Sequence, residues 1–324
     1  MTDREAKKIA YLLKRAGTIL LVTHRNPDGD GIGSGLALMN KLTKMGKKVD
    51  FINRDPMPCI YKFLPMAEKV RAKKCVRKKY DLIIYLECPD AERHGSIIKP
   101  ENAKKSINID HHMGNEMYAD INIVEPKAPA VGFQLFHFMK KVKWKIDKSA
   151  AMGLYTAIIT DTGSFSYSNT SPEVHMAAAE LLKAGASPVD ITSEVYATTR
   201  QSTALMMNML SKLKIKGKVG WSVLTSGMFK KTGAKDNETD NFINSIRSIR
   251  GLYVAVLFKE YGPKTIKVSF RSKYGIDVNA IASRLDGGGH KYAAGCVVRK
   301  PLKQAQDLVL SLVNRQLSRQ KEKK

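Results

Sequence analysis

The sequence predicts a two-domain α/β fold, and three observations carry that prediction. Short apolar runs that read as buried strands alternate with segments of helical periodicity along the first half of the chain. Near residue 217 the pattern changes to a second series of strands with helices between them. The length, 324 residues, suits two domains of ordinary size.

Each element has its own local reason. Thr2 and Glu5 fit a capping box, and Ile9, Tyr11, Leu12 and Leu13 supply an apolar face, so a helix opens the chain. Residues 18–22 read as a short buried strand. A loop rich in Gly, Asp and Pro follows over 24–33, with a helix starting near Gly33 or Ser34. Strands are expected at 49–52, 82–86 and 107–109, and helices at 130–140 and 148–159. This alternation implies a parallel sheet, whose ligands bind beyond the carboxyl ends of the strands. Ser171-Pro172-Glu173 pairs a helix N-cap with proline at the first helical position. Helical patterns then run through Leu182, 189–196 and 203–213, joining the two domains. Beyond them, strands are expected at 219–224, 252–258 and 265–270, with helices around 240–250 and 278–285. A last helix over 303–316 precedes a basic tail ending in Lys323-Lys324.

Composition narrows the function classes. An apolar share of 43% excludes disorder as the main state. The 55 Lys and Arg against 30 Asp and Glu leave a formal charge of +25. That excess suits an anionic partner: nucleic acid, nucleotide, phosphorylated metabolite or membrane surface. No apolar run approaches the ~20 residues of a membrane span, and the charged N-terminus lacks a signal-peptide core. Cys59, Cys75, Cys88 and Cys296 form no CxxC pair, so reduced thiols in a cytoplasmic protein, with no membrane partner, are expected.

Four segments near expected strand or helix ends concentrate oxygen and imidazole ligands. They are His24-Arg25-Asn26-Pro27-Asp28-Gly29-Asp30; Glu87, with Asp90 and Arg93 close behind; Asp110-His111-His112; and Asp161-Thr162-Gly163. Singly, each has a bland reading as a turn, a helix cap or a surface histidine. Three of the chain's seven histidines fall in these segments. Carboxylates with imidazole and no thiolate suit Mn²⁺, and also Mg²⁺ or Co²⁺. So many ligands exceed the needs of one ion, and two ions can clamp a phosphoryl group for in-line attack.

These segments resemble the four motifs of the DHH phosphoesterases. Gly287-Gly288-Gly289-His290, followed by Ala293-Ala294-Gly295, resembles the signature of the DHH-associated nucleotide-binding domain. Phe270-Arg271-Ser272 and Asp277-Val278-Asn279 are similar to the entry into that domain. The resemblance implies a DHH catalytic domain over 1–190, a helical linker over 191–216 and a DHH-associated substrate-binding domain over 217–324. Length and domain pairing are most similar to the NrnA-type branch. That branch degrades very short RNA and dephosphorylates 3′-phosphoadenosine-5′-phosphate (pAp).

The resemblance also implies roles. His24 and Asp28 would bind a first Mn²⁺, and Asp30, His111 and Asp161 a second. Glu87 would bridge them, a position where the family usually has Asp; Asp90 is the alternative ligand. Asp110 would orient the neighbouring histidine, and His112 would contact the scissile phosphate or the leaving oxygen. In the second domain, Gly287, Gly288 and Gly289 would let the backbone approach a phosphate, with His290, Arg271 and Ser272 beside it. A cleft between the domains would then admit short single-stranded RNA or DNA, or pAp, and disfavour long polymers. Cyclic-dinucleotide or pApA hydrolysis is the second enzymatic reading. A basic nucleic-acid-binding protein with a vestigial metal site is the reading from another class. A homodimer is compatible with either. The basic run over 69–79 reads as a solvated face or an electrostatic funnel, and 318–321 is similar to a basic motif of family II pyrophosphatases.

Overall fold

A computed structural model describes residues 1–239 and 241–321. The chain divides into two compact units, Met1–Ala197 and Thr198–Lys324. Asp240, where the expected helix over 240–250 would begin, and the Lys323-Lys324 tail lie outside the described residues, as do the side chains at 319–321.

The first unit runs α1 (Asp3–Arg15), β1 (Thr18–Val22), α2 (Gly29–Lys44), β2 (Lys48–Asn53), β3 (Val70–Ala72), β4 (Tyr80–Leu86), β5 (Ala103–Asp110), β6 (Ile121–Val124), α3 (Val131–Lys141), α4 (Lys148–Asp161), α5 (Pro172–Lys183) and α6 (Pro188–Val195). Its six strands form a parallel sheet in the order β3-β2-β1-β4-β5-β6. One sheet face, with Ile19, Leu21, Leu82, Ile84 and Ile107, packs in the core that the helices share. The other face, with Leu20, Val22, Ile83 and Tyr85, packs against Val76, Ile97 and Ile98 from loops. The capping box at the N-terminus forms, with Glu5 N–H donating to Thr2 and the Glu5 carboxylate accepting from Thr2 N–H. Such a cap contributes about 1 kcal/mol.

Sequence and structure part company at α2. The helix begins at Gly29, not near Gly33, and Asp28 is its N-cap. Turn-forming residues pointed to a loop there; packing makes them a helix. Gly33 faces Gly153 of α4 so closely that a Cβ on Gly33 would lie 2.3 Å from the Gly153 carbonyl oxygen. Those glycines let two helix backbones touch, which a side chain on either would forbid. The run over 69–79 also gains structure, since 70–72 is the edge strand β3 and Arg71 and Lys78 both pair with Asp50.

The second unit runs α7 (Arg200–Leu210), β7 (Lys214–Lys216), β8 (Val219–Leu224), α8 (Ser226–Thr232), α9 (Phe242–Arg247), β9 (Val254–Gly262), β10 (Thr265–Ser272), α10 (Asn279–Ala282), β11 (Gly288–His290), β12 (Ala293–Val298) and α11 (Leu302–Lys321). Its sheet order is β11-β12-β10-β9-β8-β7, antiparallel except for the parallel β8–β9 pair. Residues of α11 such as Ala305, Val309 and Val313 close one core, and residues of α7 and α9 close the other. The stretch read as a linker, 191–216, is shared out. Ile191 and Val195 of α6 are buried in the first unit's core, whereas Leu205 and Met209 of α7 are buried in the second's. Among the described residues no helix is long and apolar enough to cross a membrane.

Candidate metal centre

The strand order of the first sheet reverses between β1 and β4, and an open parallel sheet leaves its ligand crevice at such a reversal. The donor residues lie there. His24 follows β1, Glu87 follows β4, Asp110 ends β5, and His111 and His112 come next. Asp28 and Asp30 sit at the start of α2, and Asp161 is the last residue of α4. The α2–α4 glycine contact therefore brings three carboxylates, Asp28, Asp30 and Asp161, to the carboxyl end of the sheet.

Two donor groups share one residue. The ligand atoms of His24, Asp28 and Glu87 lie within 4.8 Å of one another, as do those of Asp30, Glu87, His111 and Asp161. Glu87 turns one oxygen to each: Oε2 is 3.4 Å from His24 Nε2, and Oε1 is 3.9 Å from His111 Nε2. His24 Nε2 is also 3.7 Å from Asp28 Oδ2, and His111 Nε2 is 3.2 Å from Asp161 Oδ2 and 3.8 Å from Asp30 Oδ2. Asp90 is absent from both groups; its Oδ1 accepts from Glu92 N–H instead. Glu87 adopts φ +59°, a left-handed conformation that costs a branched or long side chain of order 1 kcal/mol or more. Beside Asp161, Gly163, Ser164 and Phe165 are left-handed in succession, although only the first is glycine.

Hydrogen bonds from behind fix the donors. His111 Nδ1–H donates to the Ala128 carbonyl at 3.0 Å and His24 Nδ1–H to the Arg25 carbonyl at 2.7 Å, so each ring presents Nε2 to the cluster. Asp28 caps α2 through Oδ1, which accepts from the N–H of Asp30 and Gly31, and keeps Oδ2 for the site. Asp30 accepts from the N–H of Val131 and Gly132, in the first turn of α3, and from the Ser34 hydroxyl. Asp110 holds His112: its Oδ1 accepts from His112 Nδ1 at 2.8 Å and from the backbone N–H of His111 and His112. Asn115 donates to Asp110 Oδ2 at 2.6 Å and to Asn108 at 2.8 Å. The roles of Asn115, Ser34 and the Ala128 carbonyl were missed in the sequence; Ser34, four residues past Asp30, and Asn115, five past Asp110, are local to the groups they hold, whereas the Ala128 carbonyl is seventeen residues from His111.

The donor chemistry suits a divalent cation. Asp30 and Glu87 are buried, and Asp161 is half-buried beside them. So many carboxylates cannot all ionise together, and protons or cations must neutralise them. Burial, with the Glu87 charge behind it, pushes Asp30 up to about 8. Burial also lifts Asp161 well above the carboxylate range, against the opposing pull of His111. Glu87 goes the other way: burial would raise it, but His24 and His111 hold it well below. Burial would lower His24 and His111, yet Glu87, helped by Asp28 for one and Asp161 for the other, holds both well above an ordinary imidazole. A cation that ligates these groups must displace their protons. Metal binding at pH 7 is therefore expected to release at least one proton per chain. Affinity should rise with pH towards the Asp30 value of about 8, up to tenfold per unit for each proton displaced. Calorimetry in two buffers of different ionisation enthalpy checks this; identical heats in both would exclude it.

In the second unit, Arg271, Ala293 and His290 are paired across β10, β12 and β11, so all three lie on one face of the sheet. Arg271 and His290 thus stand about 10 Å apart across two strand spacings, with only alanine between. Arg271 Nη1 donates to the Phe270 carbonyl, and its buried Nε has no hydrogen-bond partner among the described residues. The glycines divide. A Cβ on Gly287 or Gly289 would strike the backbone of β12, at 2.3 Å and 2.5 Å, so packing demands those two. Gly288 faces open space and is the one free for close approach. Ser272 is buried and its hydroxyl donates to the Ile276 carbonyl, closing the turn after β10.

Comparison with known proteins agrees with this two-domain organisation. The DHH family N-terminal domain matches residues 18–185, and the DHHA1 domain matches residues 220–319. The chain is 31% identical to the bifunctional oligoribonuclease and PAP phosphatase NrnA of Thermus thermophilus, over 96% of this chain and 94% of that protein. It is 28% identical to the protein of the same name from Bacillus subtilis, over 87% and 89%. Among solved structures, an exopolyphosphatase-related protein from Bacteroides fragilis superposes with a TM-score of 0.89 at 25% identity, covering 98% of this chain and 96% of that one.

Proposed function

The chain belongs to the DHH family, with a DHHA1 domain after its DHH domain, and from that premise we propose a Mn²⁺-dependent phosphohydrolase that degrades very short RNA to mononucleotides and converts pAp to AMP. Hydrolysis of phosphoester bonds is the common activity of its NrnA-named relatives. One observation carries the finer reading: the two oxygens of Glu87 face two separate donor groups. His24 and Asp28 would hold one cation, Asp30, His111 and Asp161 the other, with Glu87 common to both. Bound there, the cations would supply Lewis-acid activation of a phosphoryl group and of a water.

The chain's own residues do the rest. The Ala128 and Arg25 carbonyls keep the two ligating imidazoles in the tautomer that offers Nε2. Asp110, braced by Asn115, holds His112 through Nδ1, so His112 Nε2 is the atom that gives a proton to the leaving oxygen. Arg271 and His290 hold a substrate phosphate on the second unit, with the open Gly288 backbone beside them. So few anchoring groups suit a nucleotide or a very short oligomer.

Purified protein with Mn²⁺ is expected to hydrolyse pAp and a ladder of 5′-phosphorylated RNAs, fastest at the dinucleotide end. The same assay with cyclic di-AMP and pApA separates the second enzymatic reading. Tight, salt-sensitive RNA binding with no turnover of any of these would support the vestigial-site reading and end this one.

A further inference from the structure

We propose that a groove on the second unit, between β7, β8 and α11, binds single-stranded nucleic acid at a site separate from the metal centre and from the Arg271–His290 face. The groove encloses about 910 Å³. The helix α11 packs on β9 and β10, and the groove runs between it and β7 and β8, with buried Val219 and half-buried Trp221 in its lining. Lys214 is paired with Trp221 across β7 and β8, and Lys216 with Val219, so both lysines share the face on which Trp221 lies. Lys303 and Arg315 line the groove from α11.

The chemistry of the lining selects the partner. Among the described residues, four cations, Lys214, Lys216, Lys303 and Arg315, face a single acid, Asp307, which is held by Lys303 at 2.9 Å. The surplus of positive charge suits consecutive phosphates. Trp221 is half-buried, packed on the core and lining the groove, which gives a base an aromatic surface to stack on. Cations along a backbone track combined with an aromatic platform are the means by which proteins hold single strands without reading sequence. An acidic peptide would meet the charge but carries no ring with each anionic group, whereas a nucleic acid brings a base with every phosphate.

The groove cannot be part of the proposed nucleotide site. Trp221 is paired with Val256, and Val256 with Phe270, so Trp221 and Phe270 share a face. Arg271 follows Phe270 along β10, and successive residues of a strand point to opposite faces. The groove and Arg271 therefore lie on opposite sides of one sheet, and the inference stands whatever the metal centre does.

Trp144→Phe leaves Trp221 as the only tryptophan, because the chain has two. The full-length protein, with its divalent cation present, is titrated with a hydrolysis-resistant 2′-O-methyl phosphorothioate dodecanucleotide while Trp221 fluorescence is read. A saturable change that weakens with salt is expected, and it should persist in Arg271→Ala. Combining Lys214→Ala, Lys216→Ala and Arg315→Ala should weaken binding at least about tenfold at 0.1 M salt. The log–log salt slope should fall by about 2, at roughly 0.7 for each phosphate no longer neutralised. Arginine at the two lysine positions should restore binding, and dinucleotide turnover should not change in any of these groove variants. Unaltered affinity in the triple alanine variant would overturn the proposal, as would loss of the signal in Arg271→Ala. A shift of the triple variant to a smaller assembly in sedimentation, with affinity unaltered, would also overturn it and make the groove an interface between copies.

Discussion

Replacing Glu87 with Gln is expected to lower hydrolysis of a dinucleotide by at least about a thousandfold, equivalent to about 4 kcal/mol at the transition state. The bound metal should fall from two ions per chain to one or none. The reason is geometric. Among the described residues, the Glu87 carboxylate is the one group shared by both donor sets, at 3.4 Å from His24 Nε2 on one side and 3.9 Å from His111 Nε2 on the other. An amide keeps the shape but loses the charge, and its NH₂ offers no lone pair to a cation. Glu87→Asp is the informative partner, since it keeps the charge and draws the carboxylate back by about 1.5 Å, one carbon–carbon bond. Its activity should fall between those of the parent and the amide. The left-handed backbone at Glu87, φ +59°, sets where a shorter side chain can reach. Turnover and metal content measured on the same preparations check the prediction. An amide variant that kept both ions and full turnover would remove Glu87 from the centre.

Gly33→Ala should damage stability and metal binding together, although residue 33 ligates nothing. Its new Cβ would lie 2.3 Å from the Gly153 carbonyl oxygen and 3.1 Å from the Ala157 nitrogen, both backbone atoms that no rotamer change can move. The two helices must separate. Overpacking of this kind costs about 1–3 kcal/mol, and backbone against backbone belongs at the upper end. Asp28 and Asp30 travel with α2, and Asp161 with α4, so the separation also widens the ligand cluster. A lower urea midpoint and weaker metal binding are both expected. Gly288→Ala is the control for stability, because nothing lies within 4 Å of a Cβ there. Unchanged metal binding in a destabilised Gly33→Ala would mean that the site does not depend on the α2–α4 contact.

What could be read along the chain was what local chemistry writes. The capping box of Thr2 and Glu5, the run Thr18–Val22 and the helix ending at Asp161 were legible because each depends on neighbours a few residues away. The donor residues stood out for the same reason: carboxylates and imidazoles at the ends of apolar runs are visible as composition. The strands β3, β6, β7 and β11 were missed because each has only three or four residues, and β12 because its sequence Ala-Ala-Gly-Cys-Val-Val has no polar–apolar alternation. The start of α2 was misplaced because glycine is a turn former by propensity, and only the packed neighbours reveal why four glycines belong inside the helix: Gly29 and Gly33 meet α4, Gly31 meets the Thr23 side chain and Gly35 the Phe51 ring of β2.

The class of fold, the two-part organisation and the types of ligand on offer are properties of the residues themselves, readable in order. Which carboxylate joins the two donor groups, and how each ligand is held, depends on folding distant segments together. Asp30 relies on backbone N–H groups more than a hundred residues away, and His111 on a carbonyl seventeen residues on. Those partners are main-chain atoms, which every residue carries, so no side-chain pattern can announce them. Their roles arise when the sheet reverses its order and two helices meet at their glycines.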